Sequence, residues 1–242
     1  MSSFIKTFAD AAQATEAARR SMDLRQQSVI TPPAYANGQT VVFAGIAGCS
    51  GLPLTQRPID DWLAPLIPLH TSVLDGLSPF DPMLRISPRL DLLTNPSLRA
   101  ALHRLAQASP RGGSVIHGDF HLGQVIAAQD GVAWLIDLDD LAIGPVEADI
   151  GNLIANLATQ DDLPGPFAVR LEHWRQAVQG EWFRLDQTAN PTWVEHFAAL
   201  ALIRRHLKLR EQARRDFEAD IAAWITPDAC RTSPFGNAAY PD

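Results

Sequence analysis

The residues best equipped for chemistry stand in one short stretch, His117-Gly118-Asp119-Phe120-His121-Leu122-Gly123-Gln124, and in a second acidic group, Asp137-Leu138-Asp139-Asp140. Between them the chain reads as a β-hairpin, with apolar runs from Gln124 to Ala128 and from Val132 to Ile136 around an Asp130-Gly131 turn. The two strands of a hairpin carry their outer ends side by side. Asp119 and Gln124 at one end therefore come close to Asp137 at the other. The neighbouring carboxylates of Asp137, Asp139 and Asp140 crowd like charge and call for a cation or an outlet to solvent. Two oxygen ligands beside a basic carboxylate form the donor set that magnesium-assisted phosphoryl transfer needs. A zinc hydrolase reading draws on an overlapping set, His117, Asp119, His121 and Asp137.

Order and spacing favour the first reading. The interval from Asp119 to Gln124 is that of the kinase catalytic loop H-R-D-x-x-x-x-N, with Asp119 in the base position and Gln124 in the place of the metal-binding Asn. The whole stretch from His117 to Val125 resembles the H-G-D-x-H-x-x-N loop of the aminoglycoside phosphotransferase and choline kinase family. Leu135-Ile136-Asp137-Leu138-Asp139 resembles that family's second metal motif. Gly144-Pro145 followed by Asp149-Ile150-Gly151-Asn152-Leu153 resembles the segment that comes next, and Leu69-His70 a pair in an earlier helix. The resemblance implies that Asp119 orients and deprotonates the attacking hydroxyl, and that Gln124 and Asp137 hold Mg2+ on the phosphates of ATP or GTP. It also implies structural support of the loop by His117 and Asp149. Gln for Asn is a departure: both amides offer a carbonyl oxygen, but Gln is one methylene longer. Family members similar to maltose kinases carry H-L-G-Q-V here as well.

These residues need elements to hold them. Phe4 to Phe8 alternates apolar and polar residues as a strand does, and Asp10 precedes a helix-forming run from Ala11 to Gln26. Asn37-Gly38 marks a hairpin turn before a strand at Thr40 to Ala44, and Gly45, Gly48 and Gly51 make a loose connection. Helical periodicity returns from Ile59 to Leu74 and from Pro96 to Ala108, with a proline-rich loop from Leu77 to Arg89 between them. A short strand, Ser114 to Ile116, precedes the catalytic stretch. The chain then reads as helical over residues 146–160, 166–183 and 192–225. The family resemblance implies an α+β, protein-kinase-like two-lobed fold: a partial N-lobe over residues 1–52 and a mainly helical C-lobe over residues 53–242.

Within the N-lobe the resemblance makes Lys6 the nucleotide-binding lysine and Glu16 its helix partner, with the stretch from Val29 to Leu52 supplying later strands and a hinge. Only five residues precede Lys6, so the glycine-rich hairpin over the phosphates is expected to be missing and the small lobe truncated. A strand left as a bare apolar edge tends to pair with another chain, which gives the expectation of a homodimer through the N-terminal strand. A chain that keeps the loop without that hairpin also reads as a catalytically impaired pseudokinase that binds or scaffolds.

Composition bounds the rest. A hydrophobic share of 46% and a charged share of 19% describe a chain able to bury a large core, and a net charge of -7 argues against nucleic acid as a partner. Two cysteines, Cys49 and Cys230, build no disulfide framework and read as reduced thiols. No apolar run reaches the roughly 18 residues a membrane span requires, and the first residues lack a signal-peptide pattern, so a cytoplasmic protein without membrane partners is expected. The acceptor is expected among small hydroxyl compounds: an aminoglycoside, an amino alcohol or a sugar-like molecule. The carboxylates Glu147, Glu172, Glu181 and Glu195 and the indoles Trp174, Trp182 and Trp193 are candidates to line its pocket. The run from Arg204 to Arg210 reads as a solvated helix face with Leu207 turned inward.

Overall fold

A computed structural model of the chain describes residues 3–50, 57–160 and 164–225. Gly51 and Leu52 of the expected connection, Cys230 and the side chain of Cys49 lie outside the described residues. The chain forms two compact units. One takes in residues 1–79, 112–146 and 184–186, the other residues 80–111, 147–183 and 187–242. The hairpin with the acidic motifs belongs to the same unit as the N-terminal strands.

In the first unit, β1 (Ser3–Thr7), β3 (Thr40–Ala44) and β2 (Ala34–Asn37) make an antiparallel sheet in the order β1-β3-β2. The Asn37-Gly38 turn joins β2 to β3, with Gly38 at φ 58° as a tight hairpin turn requires. Register places Lys6 opposite Val41 and Phe4 opposite Phe43, whose rings lie 6.1 Å apart. The helix α1 (Ala11–Gln26) starts as its sequence suggests: the Asp10 carboxylate accepts a bond of 2.8 Å from the Gln13 backbone N–H. It lies on the sheet through small side chains, Ala14 and Ala18 meeting Ala34 and Val41, which lets helix and strands approach closely. β1 is the sheet's edge, and Phe4 and Ile5 on it are 63% and 60% exposed.

The rest of this unit holds the catalytic stretch. β4 (Gly48–Ser50), β6 (Val125–Ala128) and β7 (Ala133–Leu135) form a second antiparallel sheet, and β5 (Ser114–Ile116) pairs with β8 (Ala142–Gly144). The helix expected over Ile59 to Leu74 is two short ones, α2 (Ile59–Leu63) and α3 (Leu66–His70). Pro65 sits at the break, where its ring cannot continue the helix of the residues before it. Both still bury their apolar residues, Trp62, Leu63, Leu66 and Leu69 being almost fully enclosed.

The second unit is helical: α4 (Pro96–Ala108), α5 (Glu147–Ala158), α6 (Phe167–Leu185), α7 (Pro191–Glu211) and α8 (Glu218–Ile225). A 3-10 turn at Ser87–Leu92 lies at the end of the proline-rich loop. Asn95 caps α4 and Asn190 caps α7, each accepting from backbone N–H groups of the first turn ahead of a proline. Every residue of α5 is buried, as expected of a helix apolar on nearly all sides. Gly151 lets it approach α7 so closely that a Cβ there would collide with the backbone of Phe197 and Ala198. Ile150, Leu153, Ile154 and Leu157 fill that core, each stabilising by about 1.5–3 kcal/mol. The run from Arg204 to Arg210 is less solvated than its charge suggests. Leu207 and His206 are fully buried, while Arg204 and Arg205 donate to Asn152 and Thr159. No helix among the described residues is long and apolar enough to cross a membrane.

Candidate active site

The catalytic stretch is laced to the acidic turn by short-range chemistry. His117 is fully buried, and its Nε2–H donates to the Ile136 carbonyl oxygen at 3.0 Å. Phe120, also fully buried, stands edge-on to the His117 ring, with centroids 5.9 Å apart. Between them Gly118 adopts φ 77°, a left-handed conformation that suits glycine, and a Cβ at this position would collide with the Asp140 carbonyl oxygen. The motif therefore needs glycine on two grounds, and the loop bearing Asp119 is held against the turn bearing Asp137. At the hairpin's root the Ile136 N–H donates to the Gln124 carbonyl oxygen at 2.9 Å.

Asp137, two residues beyond β7, lies in the left-handed region, φ 59° and ψ 57°, and opens a 3-10 turn over Leu138–Asp140. An aspartate tolerates that conformation better than most residues. Its two oxygens have different partners. Oδ1 accepts from Lys6 Nζ at 2.5 Å, and Oδ2 lies 3.1 Å from the Gln124 side-chain amide. Lys6 also pairs with Asp139. The ammonium thus stands between two carboxylates, answering the crowding of like charge with a cation from the chain itself. Burial works against the charged form of Asp137, but the bonds from Lys6 and Gln124 outweigh it and hold the carboxyl below its ordinary range. Burial likewise lowers Lys6, and the two carboxylates more than reverse that.

Lys6, Gln124, Asp137 and Asp139 line a cavity of about 490 Å3 in this unit, whose apolar side includes Phe43 and Ile126. Gly45 and Ile46, after β3, border it. Lys6, Gln124 and Asp137 are brought together, and Asp119 sits in the same loop as Gln124, next to Gly118. Asp149 is fully buried in the first turn of α5.

Glu16 requires a correction. It does not pair with Lys6, because its carboxylate is held on α1 by Arg19 at 2.8 Å and by Arg20 at 2.7 Å. Those are positions i+3 and i+4 on one helix face, where side chains meet with no tertiary cost. The bond from Arg19 lowers the Glu16 carboxyl to about 2. Asp139 takes the place expected for Glu16 beside Lys6. The acidic run after Asp137 was its signal, but only the fold shows which member reaches the lysine.

The zinc arrangement does not assemble. His117 spends Nε2 on a carbonyl oxygen, and His121 Nδ1 accepts from the Gly123 backbone N–H at 3.0 Å. Among the described residues the one cluster of three His, Cys, Asp or Glu side chains with ligand atoms close enough to share an ion is His206, Asp216 and Glu218. There Phe217 N–H already occupies His206 Nδ1, and Glu218 accepts from Thr94, Asn95 and Arg210. The candidates for an acceptor pocket are largely structural too. Glu147 accepts from the Asn190 backbone N–H, Glu195 pairs with Arg175, and Trp174 and Trp182 are buried.

The architecture and the catalytic turn are those of a kinase-like fold. Residues 80–188 match the model of the phosphotransferase enzyme family. The chain is similar in fold to a choline/ethanolamine kinase family protein from Mesorhizobium loti, at 15% identity and a TM-score of 0.58, covering 98% of this chain and 84% of that one. Choline kinase LicA from Streptococcus pneumoniae aligns at 17% identity and a TM-score of 0.59, over 98% of this chain and 86% of its own. A thermostable mutant of aminoglycoside phosphotransferase APH(4)-Ia aligns at 16% and 0.57, over 97% and 87%. No curated protein matches the sequence significantly.

Proposed function

We propose that the protein transfers the γ-phosphoryl group of a nucleoside triphosphate to a hydroxyl of a small molecule. The observation that carries this reading is the convergence of Gln124 and Asp137, 3.1 Å apart, with Lys6 on the wall of one cavity, beside the loop that bears Asp119. Two structures of relatives support a nucleotide as the ligand: LicA in complex with AMP, and APH(4)-Ia with AMP-PNP and hygromycin B.

The residues fit magnesium. Asp137 and Gln124 offer hard oxygen donors of the type that ion prefers, and the position between Asp137 and Asp139 already holds a positive charge, the Lys6 ammonium. When bound there, magnesium neutralises charge on the phosphate oxygens. Lys6 would pair with phosphate oxygens of the bound nucleotide. Asp119 orients the acceptor hydroxyl and takes its proton as the oxygen bonds to the γ-phosphorus. The bond from that phosphorus to the bridging oxygen breaks, leaving the nucleoside diphosphate. His117 supports the loop through its bond to the Ile136 carbonyl oxygen. The acceptor is a small alcohol of the aminoglycoside, amino alcohol or sugar class.

The test is magnesium-dependent turnover of ATP or GTP with a panel of such acceptors, by the full chain and by Asp119→Asn. Turnover that needs an acceptor and disappears in the variant supports the reading. Nucleotide binding without turnover across the panel supports a pseudokinase that binds or scaffolds.

A further inference from the structure

His121 lies outside the roles assigned above, yet its two ring nitrogens are both placed. Nδ1 is 3.0 Å from the Gly123 backbone nitrogen, and Nε2 is 3.3 Å from the end of the Gln124 side-chain amide. A backbone N–H can only donate, so Nδ1 accepts and carries no proton. A neutral imidazole has one N–H, which must then be on Nε2. The group facing Gln124 is a donor.

A donor on His121 requires an acceptor on Gln124, and the only one that side chain has is its carbonyl oxygen. The amide nitrogen and oxygen of glutamine exchange places by a simple flip. With the nitrogen toward Asp137 Oδ2, the Asp137 side is satisfied and the His121 side sets donor against donor. With the oxygen there, His121 is satisfied and two oxygens face each other at 3.1 Å. That pair is repulsive by itself, but about 2.9 Å is the spacing of adjacent oxygens around a magnesium ion bound at about 2.05 Å. One amide therefore has two competing orientations, one suited to the metal-free site and one to the loaded site.

We propose that His121 is a positioning residue: its Nε2–H turns the Gln124 carbonyl oxygen toward the metal. It thereby compensates for a glutamine where the family motif has asparagine, since the longer side chain has one more torsion to restrain. The inference rests on the phosphotransferase reading and adds a residue that acts through Gln124 without touching substrate.

The test is Mn2+ affinity, read by electron paramagnetic resonance of the free ion, for the full chain with AMP-PNP. His121→Asn keeps a side-chain oxygen able to cap the Gly123 N–H but removes the donor that reaches Gln124. It is expected to weaken Mn2+ binding by roughly tenfold, the usual consequence of removing a hydrogen-bonded supporter of a metal ligand. In a Gln124→Glu background there is no amide to orient, so the same substitution is expected to change affinity by less than about twofold. Unchanged affinity in His121→Asn, or equal losses in the two backgrounds, would overturn the inference alone. Failure of the unsubstituted chain to bind Mn2+ with AMP-PNP would overturn the phosphotransferase reading and this inference with it.

Discussion

The Lys6 ammonium lies 2.5 Å from Asp137 Oδ1, two residues 131 positions apart in sequence. A cation on an edge strand thereby occupies one carboxylate oxygen of the acidic turn, and a divalent ion bound to Asp137 Oδ1 must displace it. Removing the lysine has opposite effects on two measurements. Lys6→Ala is expected to tighten Mn2+ binding without nucleotide by roughly three- to tenfold, the effect of deleting one partly screened positive charge. It is also expected to lower kcat/KM for the nucleotide by about a hundredfold, as loss of a phosphate-binding charge does. Metal titration and steady-state kinetics on one variant check both.

Asp119→Asn separates base chemistry from binding. The variant should lose about 10^2- to 10^4-fold in kcat, the usual contribution of a positioned general base. Nucleotide affinity should stay within about twofold, since Asp119 is not among the groups lining the cavity. Isothermal titration with AMP-PNP alongside turnover distinguishes this from unfolding.

Gly118→Ala tests the contact between loop and turn. The substitution places a Cβ against the Asp140 carbonyl and demands φ 77° of an alanine. A loss of about 1–3 kcal/mol in stability is expected, read as a drop of several degrees in Tm, with kcat reduced as the loop moves off the turn.

Glu16 supplies a pH test. Its folded carboxyl is lowered from 4.5 to about 2 by Arg19. A depressed carboxyl contributes stability that is present above its unfolded pKa and lost as pH falls through the folded one. Glu16→Gln should therefore lower Tm by about 1–3 °C at pH 7, as exposed pairs of this kind do. The gap to the unsubstituted chain should close progressively between about pH 4.5 and pH 2. Thermal melts across that range measure it.

Local chemistry was legible wherever the sequence alone decides it. Asp10 caps the helix that follows it because a capping bond spans only two or three residues. The hairpin of β6 and β7 and the meeting of Gln124 with Asp137 follow from strand pairing across a short turn. Choices among equivalent partners were less visible. Glu16 and Asp139 are both acids within plausible reach of Lys6, and the nearby arginines of α1 decided between them. Periodicity from Ile59 to Leu74 signalled burial correctly but ran through Pro65, where backbone chemistry prevailed over pattern. Likewise the helix expected over 192–225 stops at Glu211 and restarts at Glu218, with Ala213 left-handed between them at φ 52°.

Lys6, Asp119, Gln124, Asp137 and Asp139 all belong to one compact unit, and the bonds joining Lys6, Gln124, Asp137 and Asp139 are internal to it. Evolution can therefore treat the helical unit as a separate substrate for change. Substitutions that accumulate along α7 and α8 fall outside the unit that holds Lys6, Gln124, Asp137 and Asp139, so the two parts of the chain can change at different rates.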